Sequence, residues 1–378
     1  MPPIIPFNHA SLSGRELDYI AQTVAAGELA GDNAFTRKCS TLLGDLLGSD
    51  KILLTPSCTH ALEMAALLLD IQEGDEVIVP SFTFVSTPLA FFQRGARIVF
   101  ADIRPDTLNL DETRLEALIT PRTKAIVPVH YAGVACEMDE ILAIAGKHGV
   151  AVVEDNAHGL FGKYRGRWLG TLGCMATQSF HATKNLTCGE GGALLVNDPR
   201  YSERAEIIRE KGTDRSRFFR GQVDKYSWVD VGSSYLLSDV LAAFLFAQLE
   251  QWQDIQAHRK QIWHHYYDHL GDWATGNGIR LPVIPAHCGQ AYHMFYLLLP
   301  SLEARRNLIA HLKARGIESV FHYLPLHLSK MGLRHGGKPG DCPVTEDASD
   351  RLLRLPFFNS LTETDQDRVV QALLEFRC

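Results

Sequence analysis

A chain of 378 residues exceeds what one hydrophobic core usually serves, since single cores stop growing near ~250–300 residues, so two domains are expected. Its 46% hydrophobic and 21% charged content, with no low-complexity tract, excludes a disordered or fibrous chain. A net charge of −7 offers no basic field for nucleic-acid phosphates, and the apolar stretches 61–69 and 240–247 fall short of the ~20 residues that cross a bilayer. Neither nucleic acid nor membrane is an expected partner.

The first eight residues carry neither the basic region nor the apolar run of a secretory signal, which predicts a cytoplasmic protein. The eight cysteines are scattered with no C-x-x-C pair, so free thiols are expected and neither a zinc site nor a disulfide framework.

From residue 51 onward, short β-rich runs alternate with amphipathic segments, the pattern of a mostly parallel sheet covered by helices. Residues 51–55 precede a helix starting near Thr59, residues 77–80 one near Thr87, and residues 98–102 one near Asp111. Residues 125–129 lead to a helix near Met138, and strands at 150–155, 176–180 and 192–197 bring the total to seven. A large α/β domain over 1–250 is the expectation. Helical patterns from Ser238 to about Leu270 lead into a strand at 294–299, a helix at 302–315 and a strand at 318–323, which predicts a small α+β domain over 251–378. No fixed-period repeat interrupts this plan. Residues 211–235 are polar, aromatic, rich in arginine and without periodicity; a loop of that length in a compact domain tends to be functional.

Open α/β sheets gather ligands beyond the carboxyl ends of their strands. Four such ends carry chemistry here: Ser57 and Thr59 after the first strand, Phe82 and Phe84 after the second, Asp155 closing the fifth, and Lys184 after the sixth. A lysine that forms an imine with an aldehyde cofactor needs a carboxylate to keep the cofactor's ring nitrogen protonated, and Asp155 lies 29 residues before Lys184. A phosphate suits a helix N-terminus rich in hydroxyls, which Ser57-Cys58-Thr59-His60 provides, and Phe84 supplies a ring to stack on a pyridine. Singly, each residue has a plainer reading as a solvated lysine or a helix cap. Together they favour a pyridoxal phosphate site, although spacing alone leaves the plainer reading open.

The segment Ser179-Phe180-His181-Ala182-Thr183-Lys184-Asn185, followed by Gly189-Glu190-Gly191-Gly192-Ala193, resembles the active-site lysine region of the DegT/DnrJ/EryC1/StrS sugar aminotransferases. Glu154-Asp155-Asn156-Ala157-His158 is similar to that family's E-D-A-A-[HQ] motif, and the segments 80–87 and 128–133 match as well. The resemblance runs nearly the whole length. It implies the type I aspartate aminotransferase fold with pyridoxal 5′-phosphate as cofactor, Lys184 being the residue that binds it covalently and then acts as acid and base. Asp155 would pair with the pyridine nitrogen and His158 would lie beside the 3-hydroxyl. Phe84 would stack on the ring, while Ser57, Cys58, Thr59 and Ser179 would hold the phosphate.

Many members carry N-Y-R-M where this chain has Ser234-Tyr235-Leu236-Leu237. Ser234 can still donate to a partner subunit's phosphate, but Leu236 cannot replace the arginine's charge, so Arg215 and Arg220 become candidates for a substrate anion. His322 and Tyr323 are further substrate-contact candidates. Segments 55–59, 210–213, 218–226 and 320–323 look closest to members that use L-glutamate to aminate a dTDP-4-keto-6-deoxy sugar for surface polysaccharide synthesis. The resemblance also implies at least a homodimer, its site shared between subunits. A sugar 3-dehydratase would have histidine at position 184. A lysine aldolase needing no second cofactor and a non-catalytic cofactor-binding sensor are the rivals of other classes. His130, His322 and His327 lack metal-ligand spacing, so no metal site is expected.

Overall fold

All seven expected strands form one sheet in the computed structural model, which describes residues 3–377. They are β1 (Ile52–Thr55), β2 (Glu76–Pro80), β3 (Arg97–Ala101), β4 (Thr123–Ile126), β5 (Ala151–Asp155), β6 (Met175–Ser179) and β7 (Gly192–Val196), in the order β1-β7-β6-β5-β4-β2-β3. The β2/β3, β2/β4, β4/β5 and β5/β6 pairs are parallel, and β7 runs against both β6 and β1. That exception has a cause: a parallel return needs a helical crossover, and none lies between β6 and β7. The ladder continues into the connection instead, with Phe180 N–H donating to Gly191 O (2.8 Å) and Ala182 N–H to Gly189 O (2.8 Å). Lys184 is carried on the turn these bonds close.

The strands read as continuous apolar runs because both faces of the sheet are covered. On one side Leu53, Val77, Val79, Val127, Val153 and Leu194 pack with α3 (Cys58–Leu68) and α4 (Ser86–Phe92). On the other, Ile52, Leu54 and Leu195 share a core with α1 (Glu16–Ala26), α2 (Ala34–Leu47) and α6 (Asp239–Glu250), while Ile78, Ile126 and Val152 meet α5 (Met138–His148). Alternate residues of one strand thus enter different cores, the period of two expected of a strand. The helix expected near Asp111 is instead two short 3₁₀ turns, Glu112–Arg114 and Glu116–Leu118. Asp111 caps the first through Thr113 N–H (3.1 Å), and Pro121 disfavours helical backbone in the residue before it.

A second core lies around a three-stranded antiparallel sheet of β8 (Tyr296–Leu298), β9 (Val320–Phe321) and β10 (Leu352–Arg354), with β10 central. Against it pack α8 (Leu302–Ala314), α10 (Glu363–Leu374) and much of α7 (Trp252–Gly276); α9 (Pro343–Arg351) leads into β10. Helix α7 joins the two cores, placing Trp252 and Ile255 in the first and Ile262, Tyr266 and Leu270 in the second. The N-terminal segment returns to the second core through a parallel bridge from Ile5 to Ile317. Among the described residues, no helix is long and apolar enough to cross a membrane.

Candidate active site

Lys184, Asp155 and the start of α3 converge at the carboxyl edge of the large sheet. Burial pulls the Lys184 ammonium down to about 8, opposed by Cys58 and Asp155 and assisted by the cationic Arg354. An amine with that value is neutral often enough near pH 7 to act as a nucleophile. Asp155 is buried, and both its oxygens are fixed: Thr87 Oγ1–H donates to Oδ2 (2.7 Å) and Ala157 N–H to Oδ1 (3.1 Å). With its proton committed to Asp155, Thr87 accepts from Thr83 Oγ1 at 2.8 Å.

Ser57 is the N-cap of α3, its Oγ accepting from His60 N–H at 3.2 Å. Burial, with the negative Asp155 nearby, pushes the Cys58 thiol up to about 12, so it remains protonated. Its Sγ donates to Thr177 Oγ1 (3.5 Å), and Thr59 Oγ1 lies 2.8 Å from Ser86 Oγ. Gly192, opposite Thr55, presses on this turn so closely that a Cβ would lie 2.4 Å from Cys58 N and Ser57 C. The backbone there forms a close cradle with free N–H groups, suited to a phosphate. Ser179, paired across the sheet with the same Gly192, is buried and accepts from His181 N–H at 3.4 Å.

His158 stacks on His293, ring centres 4.2 Å apart and planes at 17°. Burial holds both imidazoles well below the usual histidine range, Lys184 lowering them further, so both are neutral. His158 Nδ1 is buried without a hydrogen-bond partner, an orphan that a bound polar group would satisfy. His322 follows β9 and pairs its Nδ1 with Tyr131 Oη (3.0 Å); its ring centre is 6.0 Å from that of His158. Tyr323 sits between Phe82 (5.7 Å) and Phe84 (6.4 Å), and Phe84 is 59% exposed, leaving a ring face available to a ligand.

Three candidates stand apart from this cluster. Arg215 is paired with Glu210 (3.2 Å) and Arg220 with Glu206 (2.7 Å), while Ser234 is exposed and bridges Glu210 through its backbone. Within the chain, none touches the side chains of Lys184, Asp155 or His158. His130 is tied to Glu154 (2.9 Å), and His327 lies between Ser81 (2.6 Å) and Glu346 (3.0 Å), so these two histidines serve separate buried networks.

Other residues at the site carried no local signal. His293 Nδ1–H donates to Asn185 Oδ1 (2.9 Å), so the residue next to Lys184 is held by the second core. Arg259 reinforces this clamp through Tyr292 O (2.9 Å), His293 O (2.6 Å) and Asn359 Oδ1 (2.6 Å); Asn359 Nδ2–H in turn donates to Asn185 O (3.0 Å). Arg354, at the end of β10, is the charge felt by Lys184, His158, His293 and His322. The one trace it left in sequence is a lone charge closing an apolar strand.

The sequence profile of the DegT/DnrJ/EryC1/StrS aminotransferase family matches residues 11–374. The spore coat polysaccharide biosynthesis protein SpsC of Bacillus subtilis is 32% identical over 381 residues, covering 98% of this chain and 96% of SpsC. Among solved structures, S. venezuelae DesV superposes with a TM-score of 0.89 at 32% identity, covering 99% of this chain and 98% of DesV. Spr1654 of Streptococcus pneumoniae, at 25% identity, superposes with TM-scores of 0.90 in its PLP-form and 0.91 in its PMP-form, over 98% of this chain and at least 97% of the other. The PLP- and PMP-forms are the two states an aminotransferase alternates between. The residues here suit such a cofactor: an amine that burial lowers to about 8 for its carbonyl, a fixed carboxylate for its ring nitrogen and a helix N-terminus for its phosphate. The chain belongs to the DegT/DnrJ/EryC1/StrS aminotransferase family, and its cofactor is pyridoxal phosphate.

Proposed function

We propose that this chain is a dTDP-4-amino-4,6-dideoxygalactose transaminase. It moves the amino group of L-glutamate to C4 of dTDP-4-keto-6-deoxy-D-glucose, giving dTDP-4-amino-4,6-dideoxy-D-galactose and 2-oxoglutarate. The product would enter a surface polysaccharide such as the enterobacterial common antigen. The observation that carries the chemistry is the buried amine of Lys184, with a value of about 8, on the same sheet edge as Asp155 and the start of α3. The choice of sugar is supported by the segments at 55–59, 210–213, 218–226 and 320–323, and a role in polysaccharide synthesis by the likeness to SpsC.

Bound pyridoxal phosphate supplies a carbonyl that takes up the amino group and a cationic ring that draws electrons from the adjacent carbon. Asp155, immobilised by Thr87 and Ala157, would keep the ring nitrogen protonated. Ser57 Oγ, Ser179 Oγ and the N–H groups of Cys58 and Thr59 would take the phosphate, where the α3 dipole favours negative charge. His158 offers its unpartnered Nδ1 to the 3-hydroxyl, and Phe84 covers the ring face. As a free amine, Lys184 Nζ would take the proton from the donor's α-carbon and, as the ammonium, carry it to the carbon that was the cofactor's carbonyl. His322 and Tyr323, held by Tyr131 and Phe82, orient the sugar.

In this reading two copies share the site. Support comes from the strip 215–235, which exposes Phe219 (70%), Trp228 (80%) and Tyr226 (51%) beside Arg215, Arg220 and Ser234. In the dimer that strip faces the partner's cofactor site.

Lys184→Ala tests the assignment. Both half-reactions, amine uptake from L-glutamate and amine delivery to the keto sugar, should be lost, and appreciable turnover would overturn it. Product analysis by NMR then decides the sugar: an axial C4 amine supports the proposed product, whereas a C3 amine or the equatorial epimer rules it out.

A further inference from the structure

We propose that Arg354 binds a carboxylate of the amino donor, an inference that rests on the aminotransferase reading above. A transaminase must hold an anionic amino acid. Several other cations are already engaged. Lys184 is the reactive amine; Arg209, Arg215 and Arg220 are paired with Asp32, Glu210 and Glu206; Arg259 spends its donors on two carbonyls and Asn359.

Arg354 differs from all of these. It closes β10 opposite Tyr296 and Val320, and its guanidinium lies 4.7 Å above the ring of Phe7. Its one hydrogen bond to protein is from Nη2 to Phe321 O at 3.3 Å. Phe321 immediately precedes His322 and Tyr323, so that bond places the cation beside the rings that pack on His158 and Phe84. A guanidinium carries five N–H donors, and here Nε is buried without any partner and no carboxylate lies within ion-pair distance among the described residues. A cation in that state is costly unless something compensates it. The planar fork left open matches a carboxylate, which two parallel N–H bonds can hold.

The donor's carboxylate fits better than the sugar nucleotide's diphosphate. Nε is sealed from solvent, Tyr131 and His322 wall the same space and are themselves buried, and the charge acts on Lys184, to which the donor's nitrogen must come. A small amino acid can enter that space and leave.

The test separates the two half-reactions in the reconstituted holoenzyme of wild type, Arg354→Lys and Arg354→Gln. Bleaching of the bound cofactor's absorption is followed against L-glutamate concentration, and its return against dTDP-4-keto-6-deoxyglucose. In parallel, glutarate, a dicarboxylate that cannot react, is titrated into each protein by calorimetry. Arg354→Gln should raise the half-saturating L-glutamate concentration about 100-fold and abolish glutarate binding. The half-saturating sugar concentration should stay within about 3-fold, and Arg354→Lys should recover part of the loss because it restores charge without the fork. A rise in the sugar value with glutamate unchanged would assign Arg354 to the diphosphate and overturn the proposal. Equal loss in both halves together with a lowered melting temperature, and with glutarate still bound, would make it a structural residue and also overturn it. If wild type fails to react with L-glutamate, the proposed reaction falls, while the glutarate titration still decides the role of Arg354 because it needs no turnover.

Discussion

Replacing Thr87 by valine removes one hydroxyl at nearly constant volume, and that hydroxyl is the 2.7 Å donor to Asp155 Oδ2. The carboxylate keeps Ala157 N–H on Oδ1 at 3.1 Å but is then free to turn about its last bond. A hydrogen bond to a charged group contributes ~1.5–3 kcal/mol, and part of that fixes the carboxylate in place before any ligand arrives. If cofactor binding depends on a fixed Asp155, Thr87→Val should weaken pyridoxal phosphate ~10- to 100-fold, at ~1.4 kcal/mol per factor of ten. Thr83 Oγ1 also loses its 2.8 Å acceptor, so stability should fall by ~1 kcal/mol. The assay is titration of the apoenzyme with pyridoxal phosphate, read by absorption, with Thr87→Ser as a control that keeps the hydroxyl. Wild-type affinity in the valine variant, or equal weakening by serine and valine, would refute the link from Thr87 through Asp155 to the cofactor.

Three other outcomes follow from the same geometry. Because burial lowers Lys184 to about 8, the amine is protonated below that pH and neutral above it. Capture of pyridoxal phosphate by the apoenzyme should therefore quicken with pH and level off above about 8; a rate still climbing toward the ~10.4 of free lysine would contradict this. Glu154 is fully buried, which raises its pKa, but His130 and the N–H groups of Gly173 and Gly170 outweigh burial and leave it below the ordinary carboxylate range. Its contribution to stability is thus present above the unfolded value of ~4.3 and lost as pH falls through the folded value. Glu154→Gln should cost ~3–5 kcal/mol in urea unfolding at neutral pH, and its deficit against wild type should shrink in acid. Gly192→Ala drives a Cβ to 2.4 Å from the backbone of Ser57 and Cys58, so the start of α3 must move. Roughly 1–3 kcal/mol of stability should be lost with weaker cofactor binding, and unchanged affinity would show that this cradle does not hold the phosphate.

The large sheet was legible because its strands are buried on both faces and therefore stand out as unbroken apolar runs between helices. Asp155, Ser57 and Lys184 were legible for a related reason: each sits where such a run stops, and sheet geometry gathers those ends. The expected helix near Asp111 failed because apolar spacing is shared by α and 3₁₀ turns, and Pro121 cut it short. Thr87 was seen only as a helix start, and nothing local shows that its hydroxyl faces Asp155, 68 residues away. His293, Arg259 and Arg354 enter from the second core, reaching residues near Lys184 through packing between distant segments that leaves no period in the sequence. Arg215 and Arg220 looked available as charges in a loop, but the helix Ser202–Arg209 and the residue after it supply the glutamates that pair with them.

The measurement that bears most directly on the central claim is the absorption spectrum of the purified holoenzyme, taken alone, after L-glutamate, and again after dTDP-4-keto-6-deoxyglucose. The account predicts a visible band of lysine-bound cofactor that bleaches with glutamate and returns with the keto sugar, and that is absent in Lys184→Ala. A band that never forms after pyridoxal phosphate is supplied, or one that forms in Lys184→Ala as it does in wild type, would contradict it.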